Sequence, residues 1–235
     1  MATGVPRSRK DPAVRRQEIL DAVIALGADQ GLDKIKVRDV ADHVGVAPGL
    51  IHHYFPSMDE LLAESFGQWA DASLEQLRGL HDEVPPRVAL ALLVADVSPR
   101  QRLWNDALST ATRHAQLRER ARQLSEEYLA QVEAMIQAGI DERAFTCAIP
   151  RDTAWRIILM LDGLVAMVHI LELIKLPEVA TLVGPVVENE LGLEPRSFTE
   201  LVQAVLAAEI PDLAQRRSER DPRQPRGHGR SGATG

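Results

Sequence analysis

The chain has 235 residues, with 27 Lys+Arg against 34 Asp+Glu and a formal net charge of −7. Hydrophobic residues at 45% and charged residues at 26% are ordinary globular proportions, which excludes a wholly disordered chain. Its single cysteine, Cys147, excludes an internal disulfide framework and a cysteine-based zinc ribbon. The first twenty residues hold no apolar stretch that reads as a secretory signal, so a cytoplasmic location is expected. An acidic total, taken alone, argues against a nucleic-acid partner.

Aromatics are only 4% of the chain, no run of alternating β-branched residues occurs, and the expected fold class is all-α. Asp11-Pro12 supplies a cap and a first-turn proline for a helix over roughly 12–30. Short helices at roughly 37–44 and 48–54 flank Gly45-Val46. Ser57 with Glu60 reads as a capping box opening a helix over roughly 57–81. Helices at roughly 86–96 and 99–113 follow, the second started by Ser98-Pro99. From Gln116 to about 142, Leu117, Ala121, Leu124, Tyr128, Val132, Ile136 and Ile140 form one apolar stripe.

Residues 157–174 read IILMLDGLVAMVHILELI. A membrane span needs about 20 apolar residues with few or no charges. Asp162, His169 and Glu172 interrupt this stretch, so no membrane association is expected. The reading is a helix over roughly 150–174 that is buried on nearly all sides. A helix over 178–191 is expected to kink at Gly184-Pro185, and Ser197 with Glu200 marks a last helix over 197–209.

Both ends are basic. Residues 1–16 carry Arg7, Arg9, Lys10, Arg15 and Arg16 against Asp11, and residues 215–235 carry six arginines against Glu219 and Asp221. The negative charge therefore belongs to the middle, and an acidic body with basic ends is compatible with a DNA partner. The organisation expected is a basic arm over 1–11, a small helical unit over 12–56, a larger helical region over 57–210, and a disordered tail over 211–235.

The most informative stretch is VRDVADHVGVAPGLIHHYFPSMDELLAESF, residues 37–66. Gly45 allows the positive φ of a tight turn between two crossed helices. Ala41 is small where the helices meet, and Val40, Val44, Val46 and Ile51 give them an apolar inner face against Ile19, Val23 and Leu26. This is the pattern of a helix-turn-helix, whose second helix enters a DNA major groove.

The N-terminal three-helix unit, the wording GVAPGLIHHYFPSMDELL and the longer helical region behind it resemble the TetR family of transcriptional regulators. GLIHHYF is similar to its BetI-like branch, which contains a choline-responsive repressor. The resemblance implies that Arg38 lies near a phosphate and that Ala47, Pro48 and Gly49 open the recognition helix. It implies that Leu50 and His52 face base edges, that His53 and Tyr54 reach phosphate oxygens, and that Phe55 anchors the core. It also implies a ligand-responsive repressor, a double-stranded palindromic operator, a small-molecule effector and a homodimer formed through the helices near 150–174 and 178–191. Members commonly have Thr or Ser where Val37 stands, Ser where Ala47 stands and Lys where Met58 stands. Residues 1–60 carry eight basic and nine acidic residues. That acidity motivates the alternative of a helical small-molecule-binding or interaction module with a weakened helix-turn-helix.

Trp69, Trp104, Tyr128 and Asp162 are the candidate ligand-binding residues, because aromatic faces with a carboxylate bind ammonium groups. The competing reading is ordinary core packing for the rings and local capping for Asp162. Asp162 and His169 also lie seven apart on one helical face, the only spacing that hints at acid–base chemistry. No P-loop, dinucleotide fingerprint or HExxH occurs, and adjacent His52 and His53 diverge by about 100° on a helix. No catalytic residue, metal or cofactor is expected.

Overall fold

The computed structural model describes residues 11–96 and 101–208. The arm residues Arg7, Arg9 and Lys10, the cap Ser98-Pro99 and the basic tail lie outside the described residues. Ten α-helices are described: α1 (Pro12–Gln30), α2 (Val37–Val44), α3 (Pro48–Tyr54), α4 (Met58–Glu83), α5 (Pro86–Ala95), α6 (Gln101–Thr110), α7 (Ala115–Asp141), α8 (Pro150–His169), α9 (Leu176–Leu191) and α10 (Ser197–Ala207). A single 3-10 turn, Leu32–Lys34, which the sequence pattern did not signal, joins α1 to α2. No strand occurs among the described residues.

The local punctuation behaves as its chemistry dictates. Asp11 accepts the Ala13 N–H at 2.8 Å and Ser57 accepts the Glu60 N–H at 3.1 Å, each satisfying a donor that the helix leaves unpaired. Gly45 has φ 73° and closes α2, with the Val46 N–H returning to the Ala41 carbonyl at 2.9 Å. One expected cap is replaced. The Ser197 hydroxyl donates to the Glu194 carbonyl, and the first donors of α10 go to Glu188 of α9. This buried carboxylate accepts from Arg196 N, Phe198 N, Thr199 N and Thr199 Oγ1 at 2.8–2.9 Å. Helix α9 runs from Leu176 to Leu191 with Pro185 inside it. Gly184 lets α10 approach, since a Cβ there would come within 2.8 Å of Thr199 Cα.

Two hydrophobic cores organise the molecule. The first gathers α1–α3, Leu61, Leu62, Phe66, Ala70 and Leu74 of α4, Leu103 and Ala107 of α6, and Leu117, Ala121 and Leu124 of α7. The second gathers the far halves of α4 and α7 with α5, α8, α9 and α10, including Leu90, Ile136, Ile157, Val183 and Phe198. Helices α4 and α7 therefore run through both, and the first core reaches well past residue 56.

Helix α8 departs from expectation in two ways. It ends at His169, five residues early, where the Leu171 N–H turns back to the Ala166 carbonyl and Glu172 takes a left-handed φ of 51°. It is also not buried all round within one chain. Trp155 and Leu159 of α8 are 41% and 63% exposed, and Leu182 and Val186 of α9 are 49% and 41% exposed. A helix with so long an apolar run tells from its sequence that nearly every side wants cover, not which side its own chain leaves bare. No helix among the described residues is long and apolar enough to cross a membrane.

Candidate functional site

The first site is the surface of α2 and α3. Val40, Ala41, Ile51 and Phe55 are buried and fix the pair against Ile19 and Val23 of α1, so the outer face is set by packing beneath it. Pro48 starts α3 at its first turn, where its missing N–H costs nothing. Ala47, Pro48, Gly49, His52 and His53 are exposed, while Leu50 and Tyr54 are half-buried. The His53 and Tyr54 rings meet edge to face at 5.4 Å, which holds both at the end of the helix. A Cβ at Gly49 would meet nothing within 4 Å, so a backbone or groove could approach there closely.

The acidity of this unit is largely spent on its own framework. Asp39 accepts the Lys36 N–H at 2.8 Å, Asp59 accepts the Gln116 and Leu117 N–H groups at the start of α7, and Asp33 pairs with Arg113 at 3.4 Å. Asp42 faces Arg38 at 3.8 Å, both well exposed. No acidic residue lies on α3, which carries two histidines. Beyond the arm, Arg15 and Arg16 belong to α1. Arg15 pairs with Glu18, and Arg16 grips Glu64 through both nitrogens and lies 4.7 Å above the Phe55 ring. Arg16 is thus a strut between α1 and α4.

The second site is a cavity of about 100 Å³. Trp69, Trp104, Tyr128 and Asp162, from α4, α6, α7 and α8, all line it. The remaining polar lining includes Gln76, Asp96 and Gln101, which the sequence pattern did not single out. Asp96 sits where α5 ends, a position that reads in sequence as a turn residue. The rings form a row: Phe66 to Trp69 at 5.7 Å, Phe66 to Trp104 at 5.3 Å, and Trp104 to Tyr128 at 6.3 Å. Trp69 and Trp104 pack on the first core, Leu77 and Leu93 belong to the second, and Tyr128 touches both. The cavity therefore lies at the seam between the cores.

The charged side chains among the cavity's described lining residues are both carboxylates, Asp96 and Asp162. None of the described lining residues is Lys, Arg or His. Burial raises the Asp162 carboxyl from its ordinary 3.8 to about 6. Burial first, and then the charges of Asp162 and Asp96, push the Tyr128 phenol well above the tyrosine range. His169 is not among the described residues that line this space. No group of three or more metal-ligating side chains occurs among the described residues. Cys147 is half-buried with Sγ 3.3 Å from Thr153 Oγ1.

Three successive residues of α6 tie the two sites together. Trp104 walls the cavity, the Asn105 amide donates to the Asp162 backbone carbonyl at 3.3 Å, and the Asp106 carboxylate accepts the Leu32 N–H beneath the helix-turn-helix.

An all-α chain with an exposed helix-turn-helix and a cavity at the seam behind it has the architecture of a one-component regulator. Comparison with known proteins gives this class a family. Residues 19–65 match the signature of bacterial regulatory proteins of the tetR family, and residues 86–183 match the C-terminal signature of BetI-type transcriptional repressors. The chain belongs to the TetR family. It is 34% identical to the HTH-type transcriptional repressor KstR2 of Mycolicibacterium smegmatis over 32% of this chain and 43% of that protein. It is 33% identical to the HTH-type transcriptional regulator BetI of Rhizobium meliloti over 42% of each. The chain thus spans less than half the length of these curated relatives. A transcriptional regulator from Saccharomonospora viridis, solved in complex with choline, shares the fold with a TM-score of 0.62 at 19% identity, covering 83% of this chain and 95% of that one.

Proposed function

We propose that this protein is a ligand-responsive DNA-binding transcriptional regulator, a cytoplasmic homodimeric repressor released from a palindromic operator by a small cationic effector. The observation that carries the reading is the position of the aromatic and acidic cavity at the seam between the helix-turn-helix core and the second core. A ligand held there touches both bodies and discriminates between their relative positions. It shifts an equilibrium only by its differential affinity for the two arrangements, and DNA weakens ligand binding by the same factor.

Arg38, Ala47, Pro48, Gly49, Leu50, His52, His53 and Tyr54 form the DNA-facing set in this reading. Short side chains at 47–49 let the backbone approach the groove, while His53 and Tyr54 reach the phosphates. The bare face of Trp155, Leu159, Leu182 and Val186 supports pairing with a second copy, since exposed apolar stripes of this kind are costly in a lone chain. Such a dimer would set its recognition helices about one DNA turn, roughly 34–36 Å, apart.

Selection of bound fragments from genomic DNA at moderate salt tests this directly. The expected result is one enriched palindrome. Tyr54→Ala and His53→Ala should each weaken its binding by about tenfold while the dimer persists in light scattering. Undiminished affinity in both variants would remove these residues from the interface. Absence of any enriched palindrome would favour the module with a weakened helix-turn-helix, the reading that Val37, Ala47 and Met58 support.

A further inference from the structure

We propose that the seam cavity selects amines that carry at least one N–H over quaternary ammonium ions, with Asp162 as the residue that makes the distinction. The proposal rests on the cation-responsive reading above and deepens it. Its first ground is the state of Asp162. The carboxylate is half-buried and lines the cavity, and it has no hydrogen-bond or ion-pair partner among the described residues. Only its backbone carbonyl is engaged, by Asn105. A carboxylate withdrawn from water without a donor is unfavourable, which is why burial lifts its proton affinity. An ammonium N–H supplies charge and a donor together, and such charge-assisted bonds are about twice as strong as neutral ones. A quaternary ammonium supplies the charge alone.

The second ground is the arrangement of the rings. Quaternary cations are bound by ring faces arrayed around them, each within about 6 Å of the charge. Here Trp69, Phe66, Trp104 and Tyr128 pack on one another in series at 5.3–6.3 Å, the spacing of aromatic contacts. Phe66 is not among the described lining residues, so the aromatic lining is Trp69, Trp104 and Tyr128, each with part of its ring surface already taken up by another ring. The polar lining also includes Ser73, Gln76 and Gln101, whose hydroxyl and amide oxygens are able to accept from N–H.

The third ground is size. The space is about 100 Å³, smaller than the engineered apolar cavity of about 150 Å³ that holds benzene. Small ligands, of the size of simple alkanolamines, are favoured.

The matched probes are ethanolamine, N-methylethanolamine, N,N-dimethylethanolamine and choline, which keep one skeleton and one positive charge while the N–H count falls to zero. Titration calorimetry on the full chain at pH 7.5 is expected to show the first three binding with similar affinity. Choline should bind about tenfold or more weakly, the worth of one charge-assisted hydrogen bond. Asp162→Asn should weaken the three amines and erase the step at choline. Choline binding as tightly as N,N-dimethylethanolamine, or a smooth decline with no step at the last methylation, would overturn the selectivity and leave a cation-responsive regulator standing. Failure of all four to bind would overturn the cationic effector as well.

Discussion

The two cores solve different problems with the same helical vocabulary. The first supports a rigid outward face: Val40, Ala41, Ile51 and Phe55 are fully buried, and α3 displays short side chains and histidines above them. The second leaves two things incomplete, the bare stripe of α8 and α9 and the cavity where it meets the first core. A recognition surface needs its backbone fixed before the ligand arrives, because disorder there would be paid for on binding. A sensor needs a space whose filling changes how two bodies sit together. The difference between the cores is therefore one between a finished element and one finished by partners.

The largest expected effect tests whether the seam belongs to the first core. Phe66 is fully buried in that core and packs on both cavity tryptophans, while Phe198 is fully buried in the second. Phe66→Ala and Phe198→Ala should each cost about 3–5 kcal/mol in urea unfolding, the usual penalty for emptying an aromatic site in a core. Only Phe66→Ala should also weaken ligand binding, because it frees the rings that wall the cavity. Equal losses of ligand binding in both variants would break the distinction.

How much was legible in the sequence follows the same division. Asp11-Pro12, Ser57 and Gly45 act on backbone groups two to five residues away, so their effects were readable where they stand. The cap of α10 was not, because its acceptor is Glu188, ten residues before Phe198 and on another helix. The helix-turn-helix is contiguous, so its face was readable as a unit. Trp69, Trp104, Tyr128 and Asp162 were each readable as candidates, but their convergence depends on the register of four helices. Asp96 escaped because a carboxylate at a helix end is ordinarily only a turn residue. The bare face of α8 escaped because a stretch that is apolar all round carries no periodicity to mark its uncovered side.

A middle-sized effect probes the second core alone. Burial by itself would raise the Glu188 carboxyl, but donors from Thr199, Arg196 and Phe198 outweigh it and hold the group below its ordinary 4.5. A group depressed in the folded state contributes stability that is present above its unfolded pKa and lost as pH falls through the folded one. Glu188→Gln should therefore cost about 1.5–3 kcal/mol at neutral pH, the range for hydrogen bonds to a charged group. The gap from the parent should close as the pH drops below the ordinary carboxylate range. Thermal unfolding between pH 3 and 7 reads this, and a gap that stays constant would assign the effect to shape and not to charge. Operator affinity at neutral pH should not change, since the cap lies wholly within the second core.

The smallest effect lies on the link between the cores. Asp106 accepts the Leu32 N–H from one turn of the helix that carries Trp104 and Asn105, so displacement of the cavity wall pulls on the segment that enters α2. Asp106→Asn keeps an acceptor in place but forfeits the charge-assisted share of that bond. Operator affinity and amine affinity measured separately should each move by less than about threefold, because neither binding surface is altered. Their coupling should move more. Couplings between sites commonly amount to 5–150-fold, and loosening one of the contacts that transmits this one should reduce the release of DNA by saturating N,N-dimethylethanolamine by about threefold. Because coupling is reciprocal, operator DNA should also penalise amine binding less in the variant, by the same factor. An unchanged coupling with Asp106→Asn would mean that the two cores communicate through the continuous helices α4 and α7, which traverse both, and that α6 only closes the cavity.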